Sequence, residues 1–313
     1  MRVLNMMGDQ AAELARAAVP DVEIIPVPWG DDFHHGELKG EVLFAAWFGH
    51  PLFSGKGERL DEAGVQWMHL PGTGIDAWPR HLLEGRTVTC SRGVSAIPIA
   101  EFVLAEMLAF EKHLTDVWLS EPPEQWNVAP LGELAGKTLG LVGLGGIGMA
   151  VATRALAFDM RVRALRRTEK PADHGDIEVA TDLTDLLSSA DHLVLAAPGT
   201  AATKHLLDAD AFAAVKPGVH LVNIARGSLV DQDALRAALD DDRVAMASLD
   251  TVDPEPLPAD HWMYSHPKVR LSAHVSWASP KATDRIFESF ASNLRRYVKG
   301  EPLEGVIDLD QGY

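Results

Sequence analysis

Gly143, Gly145 and Gly148 stand in a Gly-x-Gly-x-x-Gly pattern directly behind the apolar run Leu139 to Val142, and a helix-forming stretch begins at Met149. Each glycine meets a separate need of a chain that must fold tightly against a diphosphate. Gly143 can take the sharp turn out of the strand, Gly145 lets the backbone approach a pyrophosphate, and Gly148 permits close packing of helix on strand. The unpaired N–H groups at the helix start then face the phosphates. The chemistry this spacing suggests is dinucleotide binding. A chance glycine-rich loop is the alternative, and the strand before, the helix after and the alternating elements beyond weigh against it.

The next apolar run, Met160 to Leu165, leads into Arg166-Arg167-Thr168. A dinucleotide site that selects NAD places an acid at this strand end to accept bonds from the ribose hydroxyls. Here the acid is missing and two arginines stand in its place. Arg166, Arg167 and Thr168 are therefore candidates to hold a 2′-phosphate through charge-assisted bonds that a carboxylate would oppose. The expectation is a preference for NADP(H), with NAD(H) possible. A solvated basic run is the alternative, since Arg161, Arg163 and Lys170 lie close by.

Such residues need a frame. Short apolar runs at Arg2 to Met6, Val22 to Val27, Val42 to Trp47, Val65 to Leu70 and Thr87 to Cys90 alternate with helical stretches such as Ala11 to Ala18, which reads as a first α/β unit. A long helix pattern follows from about Ile97 to His113, and Ser120 to Trp126 reads as an irregular arm. A second unit contributes strands near Thr138 to Val142, Arg161 to Leu165, His192 to Ala197, Val219 to Ile224 and Ala245 to Leu249. The final helix spans about Lys281 to Lys299, and Val306 to Asp308 can return to the first unit. Regular alternation favours an α/β fold of two doubly wound parallel-sheet, Rossmann-like domains.

Composition narrows the partners. The formal charge is −17, with 28 basic against 45 acidic residues, and that balance disfavours nucleic acid and anionic membranes, which need a basic surface. The apolar stretch Ile97 to Phe110 is broken by Glu101 and Glu106, and the start Met1 to Asp9 turns polar too soon for a secretory leader, so no membrane segment is expected. Cys90 is the only cysteine and cannot form an internal disulfide, which fits a reducing cytoplasm. The 13 histidines, His34-His35 included, form no recognisable ligand spacing, and no metal is expected.

Three later segments follow in order: Asn223-Ile-Ala-Arg226-Gly-Ser-Leu-Val-Asp231, Ser248-Leu-Asp250-Thr-Val-Asp-Pro-Glu255-Pro-Leu-Pro258 and Leu271-Ser-Ala-His274-Val-Ser-Trp277. With Pro71-Gly-Thr-Gly-Ile-Asp76 in the first unit, they resemble the D-isomer-specific 2-hydroxyacid dehydrogenase family, in its glyoxylate/hydroxypyruvate reductase-like, NADP-type form. The resemblance implies a discontinuous, flavodoxin-like substrate domain from residues 1–96 and 285–313, and an NAD(P)-binding Rossmann domain from residues 97–284 that includes a dimerisation arm. It implies a soluble homodimer acting on a small 2-keto or 2-hydroxy acid.

By the same resemblance, Arg226 holds the substrate carboxylate and polarises the adjacent carbonyl, His274 is the acid in reduction and the base in oxidation, and Glu255 orients His274. Singly these residues read as a surface ion pair, a loop glutamate and a strand-end histidine. Thr73 and Gly74 are expected to offer backbone N–H groups to the carboxylate. Asp250 is placed against the nicotinamide carboxamide, and Gly146, Ile147, Pro198 and Ala225 join the cofactor contacts. Asp250 as a turn cap and Gly74 as a plain turn residue stay open.

Two departures bear on substrate. His274-x-x-Trp277 is similar to the carboxy-terminal-binding corepressors of the same superfamily, and Trp47-Phe48 ends a strand where some relatives that take phosphorylated substrates place an arginine. Trp47 and Trp277 would wall a pocket for a bulky apolar 2-keto acid. The alternatives are a dinucleotide-sensing co-regulator with vestigial catalysis, and a reductase for an unusual substrate.

Overall fold

The computed structural model describes residues 1–28, 38–46, 50–53, 57–114, 116–167 and 174–313. Trp47, Phe48, Thr168, Lys170 and the His34-His35 pair lie outside the described residues. The chain divides into two compact units, Met1–Val94 with Ser279–Tyr313, and Ser95–Ala278.

In the first unit, β1 (Arg2–Asn5), α1 (Asp9–Ala18), β2 (Glu23–Pro26), β3 (Val42–Phe44), α2 (Glu58–Ala63), β4 (Trp67–Leu70), α3 (Arg80–Leu83) and β5 (Thr87–Cys90) build a parallel sheet in the order β2-β1-β3-β4-β5. That is the flavodoxin-like order of a doubly wound sheet. Strands β3 and β4 are buried along their whole length, as a sheet covered on both faces demands. His69 on β4 is the polar exception. Its ring nitrogens lie 2.7 Å from Thr89 Oγ1 and 3.1 Å from Ser91 Oγ, and burial pushes its pKa down to about 3, so it stays neutral.

The second unit opens with α4 (Ala96–Lys112) and continues through β6 (Thr138–Val142), α5 (Gly146–Leu156), β7 (Arg161–Leu165), β8 (Ile177–Val179), α6 (Leu183–Ser189) and β9 (His192–Leu195). It then adds α7 (Ala209–Ala214), β10 (Val219–Asn223), α8 (Gln232–Asp240), β11 (Val244–Leu249) and β12 (Val269–Leu271). The seven strands are parallel in the order β12-β11-β10-β9-β6-β7-β8. The order reverses between β6 and β9, and ligands bind open α/β sheets at such a switch point, outside the carboxyl ends of the strands. The chain returns to the first unit through α9 (Ala282–Lys299), where Phe290 stacks on Phe44 with ring centroids 4.1 Å apart and the helix stops at Gly300 in a left-handed cap.

Two details differ from the sequence reading. Helix α5 begins at Gly146, not Met149, because the glycine turn itself supplies the first helical residues. Strands β8 and β12 are three-residue edge strands, and β8 buries only Ile177, so neither carries an apolar run long enough to stand out.

The core of the second unit contains one polar chain. Ser248 Oγ donates to Glu106 Oε2 (2.7 Å), so it must accept from His220 Nε2 (3.0 Å), and His220 Nδ1 in turn accepts from His192 Nδ1 (3.1 Å). His192 Nε2 sits 3.0 Å from Glu111 Oε1, off the line of a full hydrogen bond, and Lys137 also pairs with Glu111. Burial drives the His220 pKa well below that of ordinary imidazole. These side chains fasten α4 to the sheet and, His192 Nε2 apart, satisfy polar atoms that would be costly alone.

Candidate active site

The glycine turn behind β6 has the shape its sequence implies. Gly143 adopts φ 103°, and a Cβ there would lie 2.7 Å from the Ala196 carbonyl oxygen; at Gly148 a Cβ would lie 2.3 Å from the Gly143 carbonyl oxygen. At Gly145 a Cβ would meet open space, so the backbone is exposed where a phosphate would approach. Helices α6, α7 and α8 are capped by the side chains of Asp182, Asp208 and Asp231, whereas α5 receives no side-chain cap among the described residues and has no acid in its first turn. Its N–H groups, Gly146 and Ile147 among them, thus suit an anion. These residues fit a dinucleotide pyrophosphate. Arg166, half-buried, and Arg167, exposed, follow β7.

Arg226, Asp250, Glu255, His274 and Trp277 gather beyond the carboxyl ends of β10, β11 and β12. Asn223, buried at the end of β10, donates from its side chain to the Arg226 carbonyl (2.9 Å) and accepts from the Ala225 N–H (3.0 Å), an Asx-type turn that sets the loop. The Arg226 guanidinium donates to the Ala225 carbonyl (2.7 Å), and its stem packs over Gly199, beside Pro198, where a Cβ would come within 2.9 Å of Arg226 Cγ. Gly227 lets this loop touch the next one: a Cβ there would sit 1.9 Å from the Val252 carbonyl carbon.

From Val252 the chain reaches Glu255. The Val252 N–H donates to Glu255 Oε1 (3.1 Å), and His274 Nδ1 donates to Glu255 Oε2 (2.9 Å), a pair that does not use His274 Nε2. The bond to Glu255 raises the His274 pKa; burial and the Arg226 charge oppose that rise without cancelling it. Burial alone would lift the Glu255 carboxyl, but His274, the Val252 N–H and Arg226 together hold it below the ordinary carboxylate range.

Asp250 is buried and both of its carboxylate oxygens accept hydrogen bonds. Oδ1 accepts from Ser272 Oγ (2.5 Å) and the Val275 N–H (2.9 Å), and Oδ2 accepts from the Ser276 N–H (3.0 Å). Burial would raise its pKa, yet these donors hold it low. Asn223, Ser272 and Ser276 escaped the sequence reading. Asn223 alone carried a local signal, a turn-forming side chain at a strand end. Thr73 and Gly74 lie in the loop after β4 in the other unit, with Thr73 exposed and Gly74 half-buried.

The Glu255–His274 pair sets a pH dependence. In Glu255→Gln the imidazole loses its anionic partner, its pKa falls, and a reaction that needs protonated His274 fails at lower pH. The upper limb of any kcat/KM profile that depends on that proton should shift downward, and a profile that stays in place would exclude the pairing role. In the native protein the raised imidazole pKa gives stability that is present below the unfolded pKa and lost as pH rises through the folded one. The depressed carboxylate pKa gives stability present above its unfolded value and lost as pH falls through the folded one.

Fold and site define a dinucleotide-binding protein of the doubly wound α/β class. Residues 104–276 match the family model described as "D-isomer specific 2-hydroxyacid dehydrogenase, NAD binding domain". The chain belongs to the D-isomer-specific 2-hydroxyacid dehydrogenase family. It is 34% identical over 232 residues to a glyoxylate reductase of Thermofilum pendens, an alignment covering 71% of this chain and 68% of the relative. It is also 35% identical over 219 residues to D-3-phosphoglycerate dehydrogenase of Bacillus subtilis, covering 69% of this chain but only 41% of that longer protein. Among solved structures, the TT0316 protein of Thermus thermophilus aligns with TM-score 0.75 at 30% identity, covering 98% of this chain and 100% of that one. A D-isomer specific 2-hydroxyacid dehydrogenase from Xanthobacter autotrophicus Py2, in complex with NADPH and MES, aligns with TM-score 0.84 at 24% identity, covering 100% and 99%.

Proposed function

We propose that the chain is an NADP(H)-dependent reductase that converts a 2-keto acid to a D-2-hydroxy acid. The observation that carries this reading is the 2.9 Å contact of His274 with Glu255, near enough to Arg226 to feel its charge, in the unit that also bears the glycine turn. Arg226 binds the carboxylate and draws electron density toward the carbonyl oxygen, a task suited to a planar, permanently charged fork. A bound reduced nicotinamide supplies the hydride to the keto carbon. His274 gives its Nε2 proton to the oxygen as negative charge develops there, and Glu255 steadies the imidazole. Pro198 and Ala225 border the cofactor, and Asp250 faces the carboxamide. The open ring face of Trp277 favours a bulky apolar side chain.

NADP(H) preference rests on Arg166 and Arg167 at the end of β7 and on the acid missing from that strand end. In Arg166→Asp the KM for NADPH should rise by about tenfold or more while that for NADH changes little or improves, because one charge-assisted bond is replaced by repulsion. An equal loss for both cofactors would exclude the clamp. A cytoplasmic homodimer built on the nucleotide-binding domain, with the region Ile97 to Trp126 as its arm, suits the exposed Trp118 and Trp126, both more than 70% accessible. Among the described residues no helix is long and apolar enough to cross a membrane.

The test follows NADPH and NADH consumption with glyoxylate, hydroxypyruvate, 2-ketobutyrate, 2-ketoisocaproate and phenylpyruvate, with His274→Ala as the blank. Turnover lost in the blank supports the reductase. NADPH binding without turnover of any acid would favour the co-regulator, and turnover of glyoxylate alone would overturn the bulky pocket.

A further inference from the structure

His274 has φ 54°, a left-handed conformation that a non-glycine residue rarely adopts and keeps only where its surroundings over-determine it. The surroundings do so here. The His274 N–H donates to the Asp250 carbonyl (2.9 Å), the next two N–H groups donate to the two Asp250 carboxylate oxygens, and the His274 carbonyl accepts from Trp277 Nε1 (3.0 Å). Asp250 is itself fixed, by Ser272 Oγ on its carboxylate and by its own N–H on the Asn223 carbonyl (2.9 Å). Trp277 remains 42% exposed, so core packing is not what orders it. Its polar edge makes a defined bond while much of the ring stays open.

We propose that Trp277 is a positioning residue: its indole N–H and the Asp250 carboxylate latch His274 in the left-handed turn that presents the imidazole to Glu255. This role goes beyond a pocket wall. The ring face can still line a pocket while the N–H edge holds the backbone, and the two roles separate on substitution. The inference rests on the reading of His274 as the acid. The charged groups facing that imidazole are Glu255, Arg226 and Asp250, and none of them changes when Trp277 is altered.

The decisive variant is Trp277→Phe, which keeps an aromatic face and removes the donor. If the latch operates, kcat for the best 2-keto acid falls about tenfold to a hundredfold with KM nearly unchanged, since a small misplacement of a reacting group carries a penalty of that size. The His274 imidazole, followed by NMR on histidine-labelled protein, then titrates at lower pH than in the native chain because its contact with Glu255 loosens. Ser272→Ala, which frees the Asp250 carboxylate to turn, should lower the same titration and spare the aromatic face. Unchanged titration in both variants overturns the latch, as does a Trp277→Phe variant that raises KM for bulky acids at native kcat. The titration needs no turnover: if the native chain reduces no 2-keto acid, the proposed activity fails while the latch is still decided.

Discussion

Replacing His274 with alanine should lower kcat for 2-keto acid reduction by a factor of about 10² to 10⁴, the range that a positioned acid contributes, while NADPH binding is retained. The imidazole is the partly exposed group of this cluster whose two nitrogens divide the labour in the proposed reaction, with Nδ1 held on Glu255 and Nε2 left for the substrate. With alanine the developing oxyanion must take its proton from water, and the Arg226 charge alone must stabilise it. The pH dependence should change as well. Native reductive activity should be held below the raised His274 pKa and lost as pH rises through it, whereas the variant should show no such limb. Steady-state kinetics across pH, with NADPH affinity measured separately by fluorescence, check both statements. A variant with near-native kcat and the same upper limb would place the acid elsewhere.

Much of this arrangement is legible in the sequence because its physical causes are local. The glycine turn must follow a buried strand and precede a helix, and both neighbours are short-range patterns; Gly143 and Gly148 then show why a Cβ fails there. Apart from the short edge strands β8 and β12, the strands of both sheets appear as apolar runs because helices cover both faces. What remained hidden depends on distant residues meeting. Asp250 and Ser272 are 22 positions apart and meet only because β11 and β12 lie side by side. The His192–His220 contact likewise needs β9 and β10 paired in register, and nothing near either histidine in sequence announces it. Trp277 carried a visible aromatic signal and an invisible one, since its N–H bond to His274 requires a backbone turn that no spacing encodes.

Arg226 carries the second large effect. Arg226→Ala should reduce kcat/KM for a 2-keto acid by about 10³ or more, divided between a higher KM from the lost carboxylate contact and a lower kcat from the lost polarisation of the carbonyl. The structure makes this a test of the side chain itself. The loop is fixed through backbone groups, by Asn223 on the Arg226 carbonyl and by the close approach of Gly227 to Val252, and neither contact uses the guanidinium. Folding should therefore survive, with thermal unfolding near the native value. Arg226→Lys is the sharper comparison, because it restores a positive charge without the planar fork. If point charge suffices, lysine recovers most of the loss; if the two-pronged geometry on carboxylate and carbonyl matters, recovery is small and appears in KM before kcat. Removing the guanidinium also removes a cation that lowers the His274 pKa, so the Ala variant should shift its residual upper pH limb upward, opposite to Glu255→Gln. Opposed shifts in the two variants would place Arg226, Glu255 and His274 in one electrostatic unit. Shifts in the same direction would break that unit apart.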